Sequence, residues 1–201
     1  SFGLGQPDFK GFGLRQHEGE SWLYYQFDPL MPERELGIKG RHNCANALAA
    51  LALGTACGLP MASMLDTLRR FKGLDHRCQV VGEVGDVSYI NDSKATNVGA
   101  TLAAIAGLAR GENLILIAGG QGKGQDFAPL AAALPGAVKQ LVLMGEDAPA
   151  IDRAVGGLVD TVHATSLTAA VAAASQVAVA GDIVLLSPAC ASFDALLGLC
   201  T

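Results

Sequence analysis

The sequence predicts an α/β protein whose larger part is a doubly wound, mainly parallel sheet. From residue 78 onward, short apolar segments alternate with helical segments of ten or so residues. The segment LILIA, residues 114–118, is apolar at every position, which is typical of a strand buried on both faces. Helices that alternate with such strands connect them in parallel.

The composition is that of a folded globular chain with no affinity for nucleic acid or membranes. Of the 201 residues, 50% are hydrophobic and 16% are charged, so disorder is not expected. The net charge of -5 argues against a nucleic-acid surface and agrees with a cytoplasmic enzyme. The longest mildly apolar stretch, residues 47–59, is too short to cross a bilayer, and no signal peptide is seen.

Five cysteines are scattered along the chain without a CxxC pair or a Cys/His cluster. This pattern predicts no metal site and no disulfide framework. The chain starts without Met, in a stretch that is itself typical of β-structure. We therefore expect it to be a fragment.

Residues 1–77 are expected to form a first domain with a β-hairpin and two helices. The segments GFGLRQ and SWLYYQF flank the turn HEGE, and Pro29 and Pro32 then interrupt regular structure. Apolar spacing predicts helices at about residues 43–56 and 62–71. The polar connector KGLDHR leads to a second domain, residues 78–201.

The second domain is predicted to consist of six strands and four helices. Its strands are predicted at residues 78–84, 87–91, 113–118, 140–144, 159–163 and 183–186, and its helices at about residues 97–109, 127–134, 148–155 and 167–179.

Polar loops follow three of these strands. Their sequences are NDSKATN (91–97), GGQGKGQD (119–126) and SPACASFD (187–194). Because ligands of parallel sheets bind beyond the carboxyl ends of the strands, we expect these loops to converge on one site.

Each loop has a structural interpretation beside the functional one. Asp92 and Thr96 are residue types that cap helices, and capping accounts for Thr96 or Asn97. Lys94, in contrast, is unfavourable beside a helix N-terminus unless an anion binds there. GGQGKG fits neither a P-loop nor the GxGxxG fingerprint. Two interpretations of this loop stay open. It is a flexible turn in which Lys123 is solvated, or its Lys123 binds a carboxylate.

Two further groups of polar residues lie earlier in the chain. His42, Asn43 and Asn46 have a spacing that brings them near one face of a helix, although Asn43 as N-cap and His42 as a structural hydrogen-bonder are open alternatives. Arg77 either belongs to a solvated turn or reaches a phosphate or ribose.

Five motifs resemble the Mur ligases of bacterial cell-wall synthesis, and specifically their D-glutamate-adding members. The motifs occur in the same order as in that family, from about residue 37 to residue 194. They are GRHNCANALAAL, FKGLDHRCQVV, INDSKATNVGATLAAI, GGQGKGQDF and LLSPACASFD.

The resemblance implies a three-domain enzyme whose C-terminal domain is Rossmann-like and binds the amino acid. Residues 1–77 would then be the end of the central ATP-binding domain. With ATP and Mg²⁺, the family converts the carboxylate of UDP-N-acetylmuramoyl-L-alanine to an acyl phosphate, which the D-glutamate amine attacks. The resemblance implies no further macromolecular partner, and a monomer is expected.

The resemblance also implies residue roles. The residues implied to bind the nucleotide are His42, Asn43, Asn46, Arg77 and Asp92. Those implied to bind D-glutamate are Thr96, Lys123, Ser192 and Phe193. Lys94 is implied to lie near the reaction centre and is the catalytic candidate.

The chain departs from the family at both ends. It lacks the family's P-loop, so we expect the isolated chain to be inactive and the Mg²⁺ ligands to lie outside it. After Asp194 it continues ALLGLCT instead of the family's Lys- and Phe-containing loop. Two alternatives stay open: a non-catalytic module that binds a small anion or a protein, and a nicotinamide-dependent oxidoreductase, which the missing GxGxxG weakens.

Overall fold

The computed structural model describes residues 1–38 and 40–191. The chain divides into two compact units, Ser1–Gly73 and a second unit that begins at Leu74. The division falls inside the KGLDHR connector, four residues before the domain boundary expected from the sequence. The assignment of the first unit to an ATP-binding domain stays a prediction.

The first unit combines a small antiparallel sheet with two helices. Its strands, in the order β1-β2-β3, are β1 (Phe12–His17), β2 (Glu20–Tyr25) and β3 (Asp28–Pro32), and its helices are α1 (Arg41–Ala56) and α2 (Met61–Arg70). The predicted hairpin and both predicted helices are confirmed.

The third strand was missed because its two prolines argue against regular structure. Pro29 and Pro32 are tolerated because β3 pairs only with β2 and thus lies at an edge of the sheet. The β1–β2 hairpin itself turns at Glu18 and Gly19, whose φ angles of 52° and 81° suit a tight two-residue turn.

The second unit is a six-stranded sheet in the order β4-β5-β9-β6-β7-β8. Only β4 is antiparallel, since it forms a hairpin with β5, and the other pairings are parallel. The strands are β4 (Gln79–Val84), β5 (Val87–Asn91), β6 (Leu114–Gly119), β7 (Val138–Met144), β8 (Asp160–His163) and β9 (Ile183–Leu186). The helices are α3 (Val98–Leu108), α4 (Ala128–Ala133), α5 (Ala148–Val155) and α6 (Leu167–Val177).

Both faces of this sheet are covered, as the sequence predicts. Strand β6 shows it most clearly: Leu114, Leu116 and Ala118 pack in the core formed with α3, α4 and α5. Ile115 and Ile117 point to the opposite core, which includes residues of α6. A continuous apolar strand is therefore required at this position, and the predicted doubly wound, mainly parallel α/β fold is confirmed.

Glycines allow the backbones after β6 and β7 to approach each other closely. A Cβ on Gly119, which has a φ of 118°, would overlap the carbonyl oxygen of Met144. A Cβ on Gly145 would lie 2.7 Å from the Cα of Gly120. Only glycine fits this contact, which sets the point where the loop after β6 leaves the sheet.

None of the helices within residues 1–38 and 40–191 combines the length and the apolar character that a membrane span requires.

We expect Gly119→Ala to lower the free energy of unfolding by about 3 kcal/mol or more, because the new methyl group collides with backbone that cannot move aside. Gly136→Ala is the matched control, since Gly136 also has a positive φ (76°) but open space around its Cβ position. That change should cost only about 1 kcal/mol. Equal losses in denaturant titrations of the two variants would contradict the close contact.

Candidate functional site

The loop after β5 is held by its own backbone and by the segment before β4. The Asn91 side chain accepts a hydrogen bond from the Ser93 N–H at 3.0 Å and lies 3.0 Å from Nδ1 of His76. The Lys94 N–H donates to the His76 carbonyl at 3.1 Å. Lys94 is exposed, so a fixed backbone presents its ammonium group to solvent.

Asp92 is buried at the start of this loop, with only 7% of its surface exposed. Its Oδ1 accepts from the Cys78 N–H at 3.1 Å, and its Oδ2 accepts from the Ser187 hydroxyl at 2.9 Å. The Ser187 hydroxyl oxygen is in turn 3.0 Å from that of Thr101. The carboxylate therefore joins the loop after β5 to the loop after β9.

The Cys78 thiol shares this environment. Burial, followed by the negative charge of Asp92 and a hydrogen bond to it, raises the pKa of Cys78 to about 12. The thiol is therefore protonated at neutral pH and is no nucleophile there.

The capping alternative is decided by the start of α3. Asn97 is the N-cap residue, and its side chain accepts from the Ala100 N–H at 3.0 Å. Thr96 is exposed one residue earlier, and Asp92 accepts from groups outside the helix. Neither of these two residues caps α3.

Lys123 lies at the tip of a tight turn in the loop after β6. The Gln125 N–H donates to the Gly122 carbonyl at 3.2 Å, and the two residues between them, Lys123 and Gly124, have φ angles of 52° and 74°. Two successive positive φ angles define a type I′ turn. The exposed Lys123 side chain thus stands on a left-handed backbone that most residues avoid.

Backbone hydrogen bonds bring the three loops together. Gln121 and Ala191 exchange two hydrogen bonds of 2.9 Å each, and the Gly119 N–H donates to Pro188 at 2.8 Å. The Ala189 N–H donates to Ala95 at 3.0 Å. The predicted convergence of loops is confirmed for residues 91–97, 119–126 and 187–191.

Two predicted site residues, Ser192 and Phe193, lie outside the described residues. Of the other predicted residues, Asp92, Lys94, Thr96 and Lys123 lie in loops that the structure brings together. Arg77 precedes Cys78, whose N–H donates to Asp92. Arg77 is exposed just before β4, in a turn in which its N–H donates to the Leu74 carbonyl at 3.2 Å.

The remaining predicted residues lie in the first unit. Helix α1 starts at Arg41, after Gly40 as N-cap with a φ of 98°, so the alternative of Asn43 as N-cap is wrong. His42, Asn43 and Asn46 occupy the first two turns. The Asn46 side chain donates to Oδ1 of Asn43 at 3.3 Å, which confirms that these two share a face.

Sequence reasoning missed three polar side chains that hold the loops: Gln125, Asp147 and Ser187. The Asp147 carboxylate accepts from the Gly122 N–H at 2.5 Å, and Ser187 contacts Asp92. All three follow strands directly or within a few residues, which was the available signal. Their partners are distant in sequence, so no spacing rule reveals them.

Comparison with known proteins identifies the family. The model of the "Mur ligase, glutamate ligase domain" matches residues 76–190, more than half of the chain. The chain belongs to the Mur ligase family. Mur ligases are ATP-dependent amide-bond ligases that act on small-molecule substrates.

Individual relatives agree with this assignment. The chain is 54% identical over 196 residues to a UDP-N-acetylmuramoylalanine--D-glutamate ligase of Pseudomonas fluorescens (strain Pf0-1), covering 96% of the chain and 44% of that relative. It is 53% identical over 204 residues to the ligase of the same name from Acinetobacter baylyi, covering 98% and 46%. The chain thus spans less than half the length of these relatives.

Solved structures share the fold at low identity. A UDP-N-acetylmuramate-alanine ligase from Thermotoga maritima matches with a TM-score of 0.67 and 18% identity, covering 94% of this chain and 44% of its own. A bifunctional folylpolyglutamate synthase/dihydrofolate synthase from Yersinia pestis gives a TM-score of 0.66 and 22% identity, covering 91% and 43%.

We expect Cys78 to make this Mur ligase chain less stable as the pH rises above the thiol's ordinary pKa. Because the folded-state pKa is raised, the unfolded state loses its proton first, so stability is fully present below the ordinary pKa and falls toward pH 12. Cys78→Ala should flatten this loss.

Denaturant midpoints of both chains, measured between pH 8 and pH 11 with thiols reduced, test this expectation. Cys57→Ala, which removes an exposed cysteine, controls for the loss of a thiol as such. Parallel pH profiles for the Cys78→Ala chain and the parent chain would contradict it.

Proposed function

We propose that this chain is the C-terminal part of an ATP-dependent ligase that joins D-glutamate to UDP-N-acetylmuramoyl-L-alanine in peptidoglycan synthesis. The observation that carries the proposal is 54% identity along 96% of the chain to a relative that bears this activity in its name. The cross-linked loops support it, because they present Lys94, Thr96 and Lys123 at one edge of the sheet.

The chemistry requires an acceptor amino acid to be held beside an activated carboxylate. ATP transfers its γ-phosphoryl group to the carboxylate of the UDP-sugar peptide, and the D-glutamate amine then attacks the acyl phosphate. Phosphate leaves and the amine loses a proton as the amide forms. Lys94 is the catalytic candidate, because an ammonium group stabilises negative charge on the oxygens of the transferring phosphoryl group.

D-Glutamate needs a cation and a hydroxyl donor for one carboxylate. We assign these roles to Lys123 and Thr96, and assign the other carboxylate to the neighbourhood of Ser192 and Phe193. Charge-assisted hydrogen bonds from Lys123 would provide most of this binding energy.

For the nucleotide, we assign contacts to Arg77 and Asp92. The family resemblance also assigns His42, Asn43 and Asn46 to the nucleotide. A carboxylate only accepts hydrogen bonds, which suits Asp92 to a ribose hydroxyl as donor. Within residues 1–38 and 40–191, no group of three or more His, Cys, Asp or Glu side chains could hold a metal ion.

The full-length reading frame that contains this chain tests the proposal. Its product should release phosphate from ATP only when UDP-N-acetylmuramoyl-L-alanine and D-glutamate are both present, and should sustain growth of cells depleted of their own D-glutamate-adding ligase. L-Glutamate in place of D-glutamate is the control. Failure to form the amide product, or a preference for another amino acid, would refute the proposed activity.

In the full-length enzyme, Lys123→Ala should raise the KM for D-glutamate by roughly one to two orders of magnitude, since a charge-assisted hydrogen bond contributes about 1.5–3 kcal/mol. The KM for ATP should stay nearly unchanged. Thr96→Ala should act in the same direction but more weakly, because only a neutral donor is lost. Asp92→Ala should weaken ATP more than D-glutamate, and its free energy of unfolding should also fall, because Asp92 accepts from the Cys78 N–H and the Ser187 hydroxyl.

Steady-state kinetics with each substrate varied in turn provide the measurement, and Lys10→Ala controls for the loss of one exposed positive charge. If Lys123→Ala weakened ATP and spared D-glutamate, the roles assigned to these loops would be wrong.

A further inference from the structure

The side chain of Gln125 makes one hydrogen bond to the start of α3, directly after the 91–97 loop, and one to the loop after β9. Its Oε1 accepts from the Val98 N–H at 3.1 Å, and its Nε2 donates to the Ala189 carbonyl at 2.6 Å. Since a backbone N–H can only donate and a carbonyl can only accept, a single orientation of the amide satisfies both partners. One half-buried side chain thus connects all three loops.

Gln125 anchors the turn that carries Lys123. It is the last residue of the type I′ turn, and Lys123 is the second. The left-handed backbone of Lys123 is unfavourable for a residue with a Cβ, so the turn depends on contacts at its ends. Asp147 holds the first end through the Gly122 N–H, and the Gln125 side chain holds the last.

The other end of this connection is next to Thr96. Val98 is the first residue of α3, two positions after Thr96. Ala189, which accepts from Gln125, donates its own N–H to the carbonyl of Ala95, immediately before Thr96. Both partners of Gln125 are therefore fixed to the segment that presents Thr96.

Glutamine is well suited to this position. Its planar head offers a donor and an acceptor about 2 Å apart on a stem of two methylene groups. Glutamate would place a carboxylate oxygen against the Ala189 carbonyl oxygen. Methionine would remove the hydrogen-bond partner of both the Val98 N–H and the Ala189 carbonyl. Asparagine has one methylene group fewer. The sequence alone gives Gln125 no role, because it appears only as the residue that breaks a GxGxxG pattern.

We propose that Gln125 is a positioning residue for the acceptor amino acid, which sets the distance between the Lys123 ammonium group and the Thr96 hydroxyl. This inference rests on the proposed function, in which these two groups hold one carboxylate of D-glutamate. Gln125 itself touches no substrate. Its loss separates two groups that must act together, so it weakens D-glutamate binding and leaves the nucleotide unaffected.

The test uses the full-length enzyme with Gln125→Met. We expect the KM for D-glutamate to rise about 3- to 10-fold, the effect of losing neutral hydrogen bonds, while the KM for ATP changes less than about 2-fold. Hydrogen exchange should become faster in the peptide that contains Val98. Gln125→Asn, which cannot overpack the site, keeps the test available if the methionine variant folds poorly, and the same selective rise is expected.

Gln121→Met is the matched control, because it makes the same change in the same loop. Among the described residues, the Gln121 side chain makes a hydrogen bond of 3.4 Å to Glu146. It should leave both Michaelis constants unchanged. If the parent enzyme is active and both Gln125 variants leave the KM for D-glutamate unchanged, the positioning role is wrong but the proposed function stands. The same holds if the variants raise the KM for D-glutamate and the KM for ATP equally. A parent enzyme that does not use D-glutamate overturns both.

Discussion

The arrangement of the site depends on the buried carboxylate of Asp92. A charged group with only 7% exposure is costly unless its oxygens accept hydrogen bonds. Cys78 and Ser187 supply donors from opposite directions along the chain, one before β4 and one after β9. Because the loss of either hydrogen bond would leave a buried charge less well satisfied, these bonds hold the two segments and the loop after β5 together.

Backbone hydrogen bonds hold the segments that carry the exposed side chains at the carboxyl edge of the sheet. Lys94, Thr96 and Lys123 project from segments whose backbone groups form hydrogen bonds of 2.8 to 3.2 Å to one another or to neighbouring loops. A flexible loop would lose conformational entropy on binding a small amino acid, and that loss would weaken the complex. The polar groups that hold the loops and those proposed to bind ligands are thus largely different residues.

Much of this fold could be predicted from the sequence, because burial on both faces leaves a strong pattern. LILIA, residues 114–118, predicts a strand buried on both faces, and β6 is one. The edge of the first sheet could not be predicted in the same way: β3 contains Pro29 and Pro32, and only its position beside a single neighbour makes them acceptable. Local patterns report burial well and sheet edges poorly.

The candidate site could likewise be predicted only in part, for a physical reason. Asp92, Lys94 and Lys123 could be proposed as site residues because they follow strands, and the topology of a parallel sheet brings strand ends together. The two hydrogen bonds of Gln125 could not be predicted, since its partners Val98 and Ala189 contribute backbone groups, which every residue has and no motif records. A side chain that bonds to backbone groups has defined partners in the folded structure, but these partners leave no pattern in the sequence. Residues that hold a site in place are therefore visible only once the chain is folded, whereas those that carry its charge are visible before.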